Sequence, residues 1–145
     1  MKLLAVRAGA LAIAAFLFFT FVLLPVKTED GDYTVVNRLA YLRGESPRRG
    51  DVVAIELAAG HSAVFLKRIV GMPGERFEIR KGRTLINGAL LDEPYVKSRL
   101  ETWTIDELTL GDDEYYVIGD DRGQPLEHHR LGRARRDKVL GKALR

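Results

Sequence analysis

Apolar residues fall along this chain in one long block and then in many short runs. From Ala8 to Leu24 every residue except Thr20 is apolar or small, a length sufficient to span a bilayer once Leu3 to Val6 extend it. Met1 to Arg7 carries Lys2 and Arg7 and no acid. A cleavable leader would have a shorter apolar core and small residues at its end. Here the block closes on Phe21-Val22-Leu23-Leu24-Pro25-Val26-Lys27, which predicts an uncleaved anchor over 1–25. The positive-inside rule then places the N-terminus in the cytoplasm and 26–145 on the outer side of the membrane.

Pro25 to Asp32 reads as a polar linker ending in a turn. Beyond it, strands are expected at Tyr33–Val36, Asp51–Leu57, Ala63–Val70, Arg76–Arg80, Thr84–Ile86, Ala89–Leu91, Glu114–Ile118 and Val139–Leu144. Asn87-Gly88 between two of them is a type I′ hairpin signal. Asp92 to Leu110 reads as a connecting excursion holding Pro94, Trp103 and one short strand. Many short strands punctuated by Gly and Pro predict a mostly β barrel or sandwich behind one N-terminal transmembrane helix.

One strand stands apart. Ala63, Phe65, Lys67 and Ile69 share a face, and Val64, Leu66, Arg68 and Val70 share the other, so each greasy row holds one cation. Apolarity on both sides means that both faces are covered. Desolvation disfavours an ammonium, and a neutral lysine amine is a general base. The plainer reading is a lysine that snorkels its charge to water over an apolar stem.

Composition changes little. The 145 residues suit one domain with a modest core, and the absence of Cys removes any disulfide framework. A net charge of +3 fits a membrane-surface protein. His61, Asp120, Glu127, His128 and His129 match no zinc spacing, so no metal and no other cofactor is expected. Arg130, Arg133, Arg135, Arg136, Lys138, Lys142 and Arg145 form a basic end, read either as a solvated face or as a contact for anionic lipid. Nucleic acid is not an expected partner of a domain outside the cytoplasm.

Four segments carry a resemblance: Gly31-Asp32-Tyr33-Thr34-Val35-Val36-Asn37-Arg38; Arg49-Gly50-Asp51-Val52-Val53; Lys67 to Glu75, continued by Asn87-Gly88 and Glu93-Pro94-Tyr95-Val96; and Tyr116 to Arg122, continued by Gly132 and Arg136 to Ala143. In this order, behind an anchor, they resemble the bacterial type I signal peptidases, membrane-anchored serine proteases with a Ser–Lys dyad. The resemblance implies a β-rich domain resting on the outer face of the plasma membrane. It puts Lys67 at the general base and Asp120 and Arg122 in a motif that braces the site by a carboxylate–guanidinium pair. It puts Gly71, Gly74 and Gly119 at turns needing unusual dihedrals or close backbone approach. Implied partners are the bilayer, extended peptide segments of exported precursors, and other export or surface-assembly proteins.

The chain departs from that family where its serine belongs. The family's Ser-Met-x-Pro-Thr segment is missing between the apolar block and Gly31. An ungapped reading puts Leu23 at the serine; a gapped one, which fits the flanks better, joins Val26-Lys27 directly to the turn. A supporting serine and aspartate after Arg122 are replaced by Pro125 and Glu127. Thr28 is the nearest hydroxyl; Ser46, Ser62 and Ser98 read as turn or surface serines. Three functions stay open: a degenerate peptidase that binds peptides by strand addition beside Lys67, an active peptidase using Thr28 or a partner chain's hydroxyl, and a structural membrane protein with no peptide cleft.

Overall fold

The computed structural model describes residues 2–144 other than 29, 30, 43, 60, 97 and 130; for 2–5, 8, 57–59 and 61–63 only the backbone is described. The chain starts as helix α1 (Lys2–Val22) and turns directly into strand β1 (Leu23–Lys27). Ten strands follow: β2 (Tyr33–Asn37), β3 (Val52–Ala59), β4 (His61–Gly71), β5 (Arg76–Arg80), β6 (Arg83–Ile86), β7 (Ala89–Leu90), β8 (Ile105–Thr109), β9 (Glu114–Ile118), β10 (Gly132–Arg135) and β11 (Val139–Leu144). Among the described residues no helix is long and apolar enough to cross a membrane. Helix α1 itself runs over 21 residues, of which Lys2 and Arg7 are charged.

The strands form two antiparallel sheets, one of seven strands in the order β1-β2-β11-β3-β4-β9-β10 and one of four in the order β7-β6-β5-β8. Every strand expected from alternation is present. The linker expected over 25–32 is corrected: its first part is β1, paired with β2 from Leu23↔Asn37 to Lys27↔Tyr33, with Val26 buried. β1 lies at a sheet edge, where Pro25 removes no ladder bond that a neighbour needs. β10 also goes beyond the sequence reading. It is the opposite edge, and its Arg133 and Arg135 hide the alternation around buried Ala134.

The large sheet is curled. A flat sheet would hold β1 and β4, four places apart, about 19 Å from each other. Instead β1 comes within 8 Å of β4, and Leu24 and Leu66 pack around the same buried Val26, Val36 and Ala54. Further along that face Val70, Tyr116 and Ile118 meet Phe77, Ile79 and Ile86 of the small sheet and the fully buried Trp103, with Phe77 stacked on Tyr116 at 3.6 Å. The other face gathers Val53, Ile55, Ile69, Tyr115 and Val117 under Tyr41 and Phe65. Both faces of β4 are therefore covered, as its two apolar rows required.

Turns follow their local chemistry. Asn87 and Gly88 adopt φ of 52° and 82°, the type I′ hairpin that their sequence predicts. Gly74 has φ of 77°, which glycine adopts without strain. At Gly71 the constraint is space: an added Cβ would stand 2.7 Å from Leu110 Cδ1 and 2.8 Å from Tyr116 Cβ.

Asp51 joins the loop before β3 to β11. Its carboxylate accepts from Tyr41 Oη at 2.8 Å and the Arg48 N–H at 3.1 Å, and pairs with Lys142 Nζ at 2.6 Å. Burial works to raise the carboxyl pKa, but the Lys142 ammonium and these two donors outweigh it and hold it below the ordinary 3.8. A depressed carboxyl stabilises the fold above its unfolded pKa and loses that contribution as pH falls below about 3.8 through the folded value. Asp51→Asn is expected to cost about 1–2 kcal/mol at neutral pH and to flatten the acid limb of a stability-against-pH curve. An acid limb unchanged by the substitution would refute the role assigned to this carboxylate.

Candidate functional site

Lys67 is 2% exposed. It sits in the middle of β4 opposite Val53, on the face that carries Phe65 and Ile69. Arg68 pairs with Ile118, so the next residue of the neighbouring strand, Gly119, falls beside Lys67. A Cβ on Gly119 would lie 3.6 Å from Lys67 Nζ, so a longer side chain there would crowd the end of the lysine. Gly119 thus supplies close approach, and its φ is not positive.

The segment after β9 is held on both sides. Asp120 accepts two bonds from Arg68, at 2.7 Å from Nε and 2.6 Å from Nη2, while Arg68 Nη1 donates to the Gly50 carbonyl at 2.6 Å. The Asp120 hydrogen bonds raise the pKa of Arg68 against the opposing effect of burial, which fixes its positive charge. Its guanidinium also lies 4.0 Å from the centre of the Tyr95 ring.

Arg122 turns the other way. It is 1% exposed and makes a bidentate pair with Glu93, itself fully buried, at 2.6 and 2.9 Å. Further bonds run to Thr84 Oγ1 at 3.1 Å and the Gly119 carbonyl at 3.3 Å. Tyr95 Oη donates to Glu93 at 3.2 Å. Burial, and then the Glu93 carboxylate, push the Tyr95 hydroxyl up to about 12, so it stays a neutral donor. Asp120 and Arg122 each form a carboxylate–guanidinium pair, and the two pairs hold the segment between them. Their side chains take partners on opposite sides of it, Arg68 in the large sheet and Glu93 beside the small one. Glu93 was not singled out from the sequence. A lone Glu before Pro in a polar excursion carries no local mark of burial; only its place in the Glu-Pro-Tyr-Val segment pointed to it.

Beyond Arg122, Trp103 Nε1 donates to the Gln124 carbonyl at 2.8 Å, and its ring meets His129 edge-on at 4.6 Å. Glu127 is exposed on a 3-10 turn over Leu126–His128 that starts after Pro125. Thr28 directly follows β1; its hydroxyl donates to the Asp32 carbonyl at 3.2 Å across the hairpin. Ser46 and Ser98 are exposed, and the side chains of His61 and Ser62 lie outside the described residues. Among the described residues no three His, Asp or Glu side chains gather as a metal site needs.

The edge of β4 is the second feature of the site. β3 pairs with β4 from His61 to Arg68, whereas β9 joins only at Arg68, Ile69 and Gly71. Among the described residues no strand pairs with Val64 or Leu66 on the β9 side of β4. Ile69 exchanges its N–H and C=O with Asp51 and Gly50 on the β3 side. By alternation, Val64 and Leu66 direct their backbone groups to the unpaired edge. The site thus offers a buried lysine beside an open ladder, next to a segment clamped by two ion pairs.

The family profile described as signal peptidase, peptidase S26, matches residues 1–145. A probable signal peptidase I-2 from Synechocystis sp. is 32% identical over 118 residues, covering 77% of this chain and 53% of that protein. A signal peptidase I from Leptolyngbya laminosa is 30% identical over 124 residues, 80% of this chain and 60% of that one. The chain thus spans little more than half the length of these relatives. The crystal structure of a signal peptidase I from Enterococcus faecalis V583 superimposes with a TM-score of 0.55 at 26% identity, covering 70% of this chain and 98% of that one.

Proposed function

The chain belongs to the signal peptidase family, peptidase S26, and from that premise we propose that it is a signal peptidase I-like protein of the export membrane that holds extended precursor segments without cutting them. The observation that carries this reading is the open β4 edge ending at buried Lys67, in a chain with no serine where the family's nucleophile belongs. An extended peptide adds to such an edge through its main chain, and the covered faces supply side-chain contacts. Helix α1 spans the bilayer with its N-terminus in the cytoplasm, and 26–145 lies outside. Lys67 stands where the general base would, with Gly119, Asp120 and Arg122 shaping its surroundings.

One observation favours a second reading, an active peptidase using Thr28. That residue follows β1, and β1 comes within 8 Å of β4. A hydroxyl beside a deprotonated lysine is an activated nucleophile. Against it stands the bond of Thr28 to Asp32 inside its own hairpin.

The deciding experiment offers a labelled secretory precursor to the full chain in liposomes, beside Lys67→Ala and Thr28→Ala. The expected result is no cleavage by any of the three, with saturable binding of the precursor. N-methylation of alternate amides in a peptide covering the bound segment is expected to weaken that binding about tenfold or more, because each block removes a ladder bond. Cleavage that disappears in both variants would replace this reading with the second. Absence of both cleavage and binding would refute both.

A further inference from the structure

We propose that the pocket between the end of α1 and the β domain binds the headgroup of an anionic glycerophospholipid. This rests on the reading that α1 spans a bilayer. The pocket has a volume of about 340 Å³, and Phe21 of α1 forms one wall. Arg38 and Arg136 line it with no Asp or Glu among the lining residues. Phe21, Leu39 and Leu42, also lining it, are 70%, 42% and 68% exposed.

Arg136 differs from the rest of the described basic end. Arg133 pairs with Glu114, Arg135 with Asp113 and Asp137, Lys138 with Glu56, and Lys142 with Asp51. Among the described residues no carboxylate pairs with Arg38 or Arg136. Of the described basic end, Arg136 is thus the cation left over, and it lines the pocket together with Arg38. Arg136 is pre-positioned: Nη2 donates to the Tyr41 carbonyl at 3.2 Å, and the guanidinium lies 5.3 Å from the Tyr41 ring centre. Arg38 is tied to the helix end, its N–H donating to the Val22 carbonyl at 2.9 Å. Guanidinium forks match phosphate oxygens, and the exposed Phe21, Leu39 and Leu42 provide an apolar seat for the glycerol and upper acyl chain. The mixture of unpaired cation and apolar surface at the end of an apolar helix fits one lipid better than a free anion, which would leave the apolar rim in water.

The test uses the full chain in a neutral detergent and measures, by native mass spectrometry, retention of phosphatidylglycerol against phosphatidylcholine with the same acyl chains. About a tenfold preference for the anionic lipid at a single site is expected. Arg38→Glu, on an exposed side chain, is expected to abolish the preference, and Arg38→Lys to keep part of it. Equal retention of the two lipids, or a preference untouched by Arg38→Glu, overturns the proposal. So does displacement of the lipid by millimolar inorganic phosphate, which would mark a free-anion site. Flotation with pure phosphatidylcholine vesicles separates the underlying reading. A chain that floats keeps its anchor whatever the lipid preference, and one that does not loses both anchor and site.

Discussion

Glu93→Ala is expected to destabilise the domain by about 3–5 kcal/mol, because it strands a buried guanidinium. Glu93 is fully buried and Arg122 is 1% exposed. Arg122 cannot shed its proton, so the substitution leaves a permanent charge with only the Thr84 hydroxyl and the Gly119 carbonyl for partners. Against a typical domain stability of about 5–15 kcal/mol the loss is large enough to lower the melting temperature by about 10 °C or more. Chemical or thermal unfolding in detergent measures it. A double substitution, Glu93→Leu with Arg122→Met, removes both charges at similar volume and is expected to recover most of the loss. A single variant within 1 kcal/mol of the parent would show that this pair does not hold the segment beside Lys67.

Trp103→Ala is expected to cost a similar amount, about 3–5 kcal/mol, by a different mechanism. The indole is fully buried among Val70, Phe77, Ile79 and Ile118, so truncation leaves a cavity between the small sheet and the large one. It also removes the bond to the Gln124 carbonyl and the contact with His129. Trp103→Phe keeps most of the volume and loses the bond, at about 1–2 kcal/mol. Hydrogen exchange after Trp103→Ala is expected to quicken between Arg122 and His129 more than in β1 and β2, since the indole pins the first stretch and touches neither strand. Uniform quickening would mean that Trp103 supports the core alone and not the segment flanking Lys67.

Edge strands show why parts of the fold escape a sequence reading. β1 contains Pro25 and β10 carries two arginines around one alanine. Both features count against a strand in the middle of a sheet. Both are tolerated at an edge, where one side of the ladder is unused and charge protects against pairing with other chains. Which strands become edges depends on the order of the whole sheet.

Sequence by itself determined the inner strands and the chemical character of the site. Period-two alternation fixed the inner strands, Asn87-Gly88 the hairpin, and two apolar rows the covered faces of β4, because each rests on contacts within a few residues. It also placed Lys67 among apolar neighbours and marked the missing serine, since motif order needs no coordinates. The tertiary structure alone decided partners. Asp120 finds Arg68 52 positions away and Arg122 finds Glu93 29 positions away. The register of β3, β4 and β9 leaves the edge beside Lys67 open, and the curl of the sheet brings β1 back towards β4. Charge pairing and edge exposure are properties of the closed assembly. A carboxylate in a polar loop looks the same along the chain whether it will meet water or a buried guanidinium.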